Sequence, residues 1–300
     1  MNVTIDKSAG FCWGVVRTID IAEESLEKNP NDDIYVLGHI IHNPKEVNRL
    51  EDKGLKTVTK DNLESLANQN KTVLIRAHGE PPSTYQRAKD MGINVIDATC
   101  PLVTNLQNRI KKYYDKGWQI VIFGKENHPE VIGVRGVIND DCIVFKTVEE
   151  ALEKTDFTRK TILFSQTTMN KRTFYEIKTA LEEKASEFVD GGEVKDAFQT
   201  KDSLCRFVTG REDDLEAFAK SNDVVIFVAG RNSSNGKSLH DFCKSHNPRT
   251  HFIEDIEEID YSWLDGAENI GISGATSTPE WFMKKVKERI EEHFEPSLKA

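Results

Sequence analysis

Residues 93–115 read INVIDATCPLVTNLQNRIKKYYD. An apolar run, INVI, ends at Asp97, and a helix-like stretch begins at Pro101. Cys100 therefore stands at the hinge between a buried strand and a helix. Proline directly behind it suits the first helical turn, where an N–H has no intrahelical partner to lose. The same order of strand, turn and helix recurs along the chain. IYVLG, TVLIRA, QIVIFG, TILFSQ, DVVIFVAG, THFIE and NIGISGA are short, apolar and rich in β-branched residues. Such runs fit parallel strands covered on both faces. Amphipathic stretches such as VRTIDIAEESLEKN, PSTYQRAKDMG and TFYEIKTALEEKASEF lie between them. The alternation predicts an α/β fold with mostly parallel sheets.

The chain has 300 residues, which predicts two or three domains. Apolar residues make up 38% and charged residues 30%, the balance of a globular chain that stays in water. A net charge of −10 argues against broad nucleic-acid or anionic-membrane binding. It leaves room for a local anion site, because backbone N–H groups and neutral donors bind phosphate without net positive charge. No run approaches the roughly 18–20 apolar residues of a membrane span. The opening MNVTIDKSAGFCWG has neither a basic start nor a long apolar stretch, so a cytoplasmic protein without a signal peptide is expected.

Polar residues collect where strands end. IYVLG runs into HIIHN with His39 and His42, and TVLIRA into HGEPP with His78. QIVIFG runs into KENHPE with His128 and Glu130, and TILF into SQTTMN with Thr167 and Thr168. VVIFVAG leads to RNSSNGKS with Ser233, Ser234 and Asn235, and NIGISGA to TSTPEW with Ser277 and Thr278. In parallel α/β sheets ligands bind at the carboxyl ends of strands. Any single Ser or Thr in such a place is more often a turn former or helix cap. The recurrence, and the presence of four histidines where turn chemistry favours Asp and Gly, points to a polar crevice. Hydroxyls, amides and helix starts there suit a phosphate or diphosphate. The nucleotide signatures GxxxxGK[ST] and GxGxxG are absent. His240, His246, His251 and His293 lie in charged or helical contexts and are expected to be surface or packing residues.

The five cysteines include no CxxC, and an odd number in a reducing compartment speaks against a disulfide framework. Cys12, Cys100 and Cys205 each precede a helix-like segment and recur about once per third of the chain. A helix start stabilises thiolate, and soft thiolates suit iron–sulfur or zinc. The residues alone leave two readings of these three open, metal ligand or small buried apolar side chain. Cys142, in DCIVF, and Cys243, in LHDFCKS, read as apolar packing.

The ordered motifs GFCWGV, IIHNPKEV, AHGEPP, DATCPLVT, NHPEVIG, SQTTM, RNSSNG and GATSTPEW resemble the 4-hydroxy-3-methylbut-2-enyl diphosphate reductase (LytB-type) family from Cys12 to Trp281. The resemblance implies three α/β domains, at 1–100, 101–200 and 201–300 with a C-terminal helix, in pseudo-threefold arrangement around a central iron–sulfur cluster. It implies a 4Fe–4S cluster held by Cys12, Cys100 and Cys205 with one open iron. His42, His78, His128, Ser233, Ser234, Asn235 and Ser277 match diphosphate contacts, and Thr168 joins them as a strand-end candidate. Glu130 matches the acid that delivers protons and Thr167 the hydroxyl that helps relay them. The implied reaction is reductive dehydroxylation of (E)-4-hydroxy-3-methylbut-2-enyl diphosphate to isopentenyl and dimethylallyl diphosphate. The implied partners are this allylic diphosphate and a ferredoxin- or flavodoxin-type one-electron donor, serving a monomer. The family pattern has a hydroxyl residue where Val208 stands, and Arg211 is retained. Two rival readings are a non-catalytic iron–sulfur sensor of a phosphorylated metabolite and a zinc-dependent hydrolase. The pairing of Glu130 with Thr167 argues against the first, and the lack of close ligand pairs against the second.

Overall fold

A computed structural model describes residues 1–189 and 192–294. Its strands form three four-stranded sheets, and every strand pairing among the described residues is parallel. Sheet one comprises β1 (Asn2–Ile5), β10 (Val224–Val228), β11 (Thr250–Ile253) and β12 (Asn269–Gly274), in the order β1-β12-β10-β11. Sheet two comprises β2 (Ile34–Leu37), β3 (Lys56–Val58), β4 (Thr72–Ile75) and β5 (Asn94–Asp97), in the order β3-β2-β4-β5. Sheet three comprises β6 (Gln119–Phe123), β7 (Ile143–Phe145), β8 (Thr161–Ser165) and β9 (Phe198–Thr200), in the order β7-β6-β8-β9.

The α/β expectation holds, and the eight apolar runs are all strands. The strands β6, β8 and β10 are buried along their whole length because helices cover both faces. In sheet three, Val121, Phe123 and Leu163 pack on Phe174, Ile177 and Leu181 of the helix Lys171–Ser186. Their alternating neighbours Ile120, Ile122, Ile162 and Phe164 pack on Leu106 and Ile110 of the helix Pro101–Tyr114 and on Val134. Sheet one repeats the arrangement. Val224, Ile226 and Val228 face Phe282, Met283, Val286 and Ile290, while Val225 and Phe227 face Leu215, Ala219, Leu239 and Cys243. Each such side chain removed from water is worth about 1.5–3 kcal/mol.

The chain forms two compact units. One is Met1–Glu23, His39–Gly54 and Arg206–Ala300, which carries sheet one. The other is Glu24–Gly38 and Leu55–Cys205, which carries sheets two and three. The first strand of the chain thus pairs with the last, β1 with β12 from Asn2↔Asn269 to Ile5↔Ile272. No helix of the described residues is long and apolar enough to cross a membrane.

Candidate active site

The second unit holds a buried carboxylate. β6 ends at Phe123, and after the connection at 124–128 the helix Pro129–Gly136 begins, with Pro129 in its first turn and His128 as its N-cap. His128 Nδ1 accepts from the Glu130 N–H at 3.2 Å. A neutral imidazole that accepts at Nδ1 carries its proton on Nε2. Glu130 follows inside the first turn and is only 2% exposed. Its Oε1 accepts from the Thr167 N–H and its Oε2 lies against Thr167 Oγ1, both at 2.7 Å. Burial pushes the Glu130 carboxyl up from its ordinary value, opposed in part by the two bonds from Thr167. Thr167 thus gives each carboxyl oxygen a donor, its N–H to Oε1 and its hydroxyl to Oε2.

Thr167 also joins this acid to a cysteine. The Cys205 N–H donates to the Thr167 carbonyl at 2.8 Å. The residues leading to Cys205 run along the edge of β8, held where Ser203 Oγ accepts from Ser165 N–H and donates to Ser165 C=O. Thr168 accepts from Gln166 Nε2 at 2.9 Å, and Gln166 Oε1 accepts from the Lys125 N–H at 3.1 Å. Gln166 and Ser203 went unrecognised in the sequence, since a glutamine and a serine beside a strand carry no distinguishing signal. His78 meets His128 edge to face, with ring centroids 5.4 Å apart. Cys100 is the N-cap of the helix Pro101–Tyr114, and its N–H extends the β4–β5 ladder to the Ala77 carbonyl at 3.0 Å.

The first unit gathers buried polar groups at two strand ends. Ser233 caps the helix Ser234–His246, accepting from the Gly236 N–H at 3.0 Å. Its hydroxyl lies 3.4 Å from that of Ser277. Asn235 Oδ1 accepts from both the N–H and the hydroxyl of Thr276 at 2.8 Å, which fixes the amide's orientation. Its Nδ2 is buried and has no hydrogen-bond partner among the described residues. Ser233, Ser234, Asn235 and Ser277 are all buried, so these donors are held in place and desolvated. Thr278 serves the frame instead, donating to the Val228 carbonyl at 2.6 Å. His42 belongs to the same unit, in the segment before the helix Pro44–Asp52. Only glycine fits at 230, since a Cβ there would lie 2.1 Å from the His42 carbonyl oxygen. Cys12 precedes the helix Trp13–Lys28, and its N–H donates to the Thr276 carbonyl at 3.1 Å. Gly10, at φ +115°, makes the turn that leads to it.

Two of the five cysteines pack as expected. Cys142 and Cys243 pack in apolar clusters, and burial pushes both thiols up to about 11. Cys12, Cys100 and Cys205 are partly exposed and stand at helix starts. The four remaining histidines pack on aromatic rings: His240 on Phe227, His246 on Phe242, His251 on Trp263 and His293 on Tyr261.

The family model described as LytB protein matches residues 3–291. The chain belongs to the LytB family. Within it, this LytB chain is 47% identical to a protein of Chloroherpeton thalassium named 4-hydroxy-3-methylbut-2-enyl diphosphate reductase, over 98% of both chains. It is 44% identical to a protein of that name from Bacteroides fragilis, over 97% of each. A solved (E)-4-hydroxy-3-methyl-but-2-enyl diphosphate reductase, described as the terminal enzyme of the non-mevalonate pathway, superposes with a TM-score of 0.71 at 34% identity, covering 97% of this chain and 99% of that one. The solved E-1-hydroxy-2-methyl-but-2-enyl-4-diphosphate reductase of Plasmodium falciparum gives a TM-score of 0.83 at 26% identity, covering 95% and 86%. The likeness to LytB proteins covers residues 3–291, so the carboxylate at Glu130 and the serines at 233, 234 and 277 sit on a scaffold shared with proteins named as reductases.

Proposed function

We propose that this chain is a 4-hydroxy-3-methylbut-2-enyl diphosphate reductase. It converts the allylic alcohol to isopentenyl and dimethylallyl diphosphate. Two electrons and two protons enter, the carbon–oxygen bond breaks, and water leaves. The observation that carries this reading is Glu130, a buried carboxyl whose hydrogen-bond partner is a threonine and whose environment favours the neutral acid. Hydroxide is a poor leaving group, and a neutral acid makes it water.

The cysteines fit an iron–sulfur cluster. Cys243 is buried and Cys142 partly buried, both in apolar clusters with thiols pushed up by burial, and they suit packing, whereas Cys12, Cys100 and Cys205 stand partly exposed at helix starts. Cys12, Cys100 and Cys205 are the ligands we assign, three thiolates for a 4Fe–4S cluster that leaves one iron open. When bound, such a cluster supplies electrons singly and a Lewis-acidic iron. His42, His78 and His128, with Ser233, Ser234, Asn235, Ser277 and Thr168, take the diphosphate. The buried Asn235 Nδ2, which has no hydrogen-bond partner among the described residues, is a donor suited to such an anion. Holding the diphosphate orients the hydroxymethyl end. Glu130 Oε2 passes its proton through Thr167 Oγ1, and the Thr167 N–H keeps the carboxylate that remains in place. Electrons come from a ferredoxin- or flavodoxin-type carrier to a monomer in the cytoplasm. The division at residues near 100 and 200 belongs to the same proposal.

A sensor of a phosphorylated metabolite would also load a cluster, but it has no use for a buried neutral acid. The test is anaerobic purification, a visible spectrum before and after adding the allylic diphosphate, and product analysis with a chemical reductant. A brown protein whose spectrum shifts and which releases both isoprenyl diphosphates is expected. A shifted spectrum without product gives the sensor reading first place. A colourless zinc protein after reconstitution gives it to a hydrolase.

A further inference from the structure

The first unit buries a cation that the proposed reaction does not use. Arg211 lies just before the helix Glu212–Lys220 and is 8% exposed. Its Nη2 donates to the Gly274 carbonyl at 3.1 Å and stands 3.7 Å from Asp6 Oδ2. Nε and Nη1 are buried and have no hydrogen-bond partner among the described residues. Asp6 itself is tied elsewhere: Oδ2 accepts from Ser273 Oγ at 2.7 Å, and Oδ1 from the Ser8 N–H and hydroxyl at 2.8 Å. An arginine keeps its charge even when burial disfavours it, so the interior here holds a cation whose donors are mostly unspent. That costs several kcal/mol unless something anionic shares the site.

The cavity beside it shows where that anion would be. About 270 Å³ in volume, it is lined by Arg211 and Cys12 together with Phe11, Arg206 and Thr276, and no carboxylate lines it. The Cys12 N–H and the Arg211 guanidinium hang on one stretch of backbone, at the carbonyls of Thr276 and Gly274.

We propose that Arg211 is a positioning residue whose fixed charge, partly offset by Asp6, raises the reduction potential of the group that Cys12 holds. This rests on Cys12 being a cluster ligand. Reduction adds negative charge to a cluster, and the net charge and hydrogen bonds around it set its potential. An interior cation therefore favours the reduced state, and an interior carboxylate opposes it. The two halves of the pair pull the potential in opposite directions although both support the same fold.

The test is a redox titration of the reconstituted full-length protein, followed by visible absorption and electron paramagnetic resonance. Arg211→Gln is expected to lower the potential enough to change the oxidised-to-reduced ratio tenfold at fixed poise, 59 mV for a one-electron couple. Arg211→Lys keeps the charge and restores most of the shift. Asp6→Asn, which can still accept from Ser8 or Ser273, raises the potential. Thermal unfolding of the cluster-free proteins serves as the structural control, and both Arg211→Gln and Asp6→Asn are expected to lower Tm. An Arg211→Gln potential equal to that of the parent, or shifts of the same sign in Arg211→Gln and Asp6→Asn, overturns the inference. If Arg211→Gln does not fold, the opposite signs of Asp6→Asn and its absence in Arg211→Lys decide. A parent protein that takes up no cluster overturns the ligand assignment and this inference together.

Discussion

Two helices of this molecule begin alike and end in different chemistry. HNPKEV opens the helix Pro44–Asp52 and HPEV the helix Pro129–Gly136, each with proline at the start and a buried glutamate in the first turn. Glu46 and Glu130 are 1% and 2% exposed. Glu46 is gripped by the Arg49 guanidinium, with Nε at 2.9 Å, and by Trp281 Nε1 at 2.9 Å. Glu130 has an amide and a hydroxyl from Thr167. A carboxylate facing a cation is held as an anion and serves the fold. One facing neutral donors in a dry site can hold a proton at the pH where chemistry runs. The local motif places a glutamate in the interior, and its distant partner decides what the glutamate does.

That contrast breaks most sharply at Glu130. Glu130→Gln keeps the size and leaves the Thr167 bonds formable, but carries no transferable proton. Turnover is expected to fall by about 10²–10⁴-fold, with the visible spectrum and substrate-induced shift retained. Full turnover would make Glu130 a second structural glutamate like Glu46. Thr167→Val sharpens the point with a smaller effect. It removes the hydroxyl and keeps the N–H, a loss of about 1.5 kcal/mol or about tenfold in kcat. The lost bond also lowered the Glu130 value, so the carboxyl rises further. The acid must be protonated to act, and activity falls as pH rises through its value. In Thr167→Val that fall is expected at higher pH, and Thr167→Ser should restore the parent profile. A profile that does not move would mean the hydroxyl is not on the proton's route.

How far the sequence carried these conclusions differs from element to element. The interior strands were legible because both faces are covered, so VVIFV is apolar at every position and QIVIF at every position after Gln119. The strands at Asn2–Ile5, Lys56–Val58 and Phe198–Thr200 were not read as strands. All are sheet edges of three or four residues, and their pairing depends on partners far away in the chain. Cys142 and Cys243 were legible as packing from their apolar neighbours, and Ser233, Ser234 and Asn235 as a helix start from the turn chemistry. The role of Glu130 could not be read from HPEV alone, since a helix-start carboxylate is ordinarily a response to the dipole. It needs Thr167 beside it, 37 residues on. Asp6 and Arg211 are likewise invisible singly, because their meaning is their proximity.

The structural half of the comparison predicts a smaller change. Glu46→Gln loses the ion pair with a partly exposed Arg49 and weakens the bond from Trp281, about 1–3 kcal/mol of stability by thermal unfolding, with kcat per folded molecule unchanged. Lost turnover without lost stability would place Glu46 in the chemistry instead.

The smallest effect is the contribution of Glu130 to the pH dependence of folding. Its carboxyl lies above the ordinary value because burial penalises the charge. The folded protein therefore binds this proton more tightly than the unfolded chain, where the value is about 4.3. The resulting stabilisation is full below that unfolded value and is lost as pH rises through the folded one. A glutamine at 130 has no proton to lose. Unfolding of cluster-free protein between pH 5 and pH 8 is thus expected to show the parent losing Tm relative to Glu130→Gln as pH rises. Parallel curves would mean that Glu130 keeps the same affinity for its proton in both states. The buried threonine cage would then stabilise the anion as well as water does, and the division between a proton-holding and an ion-paired glutamate would fail.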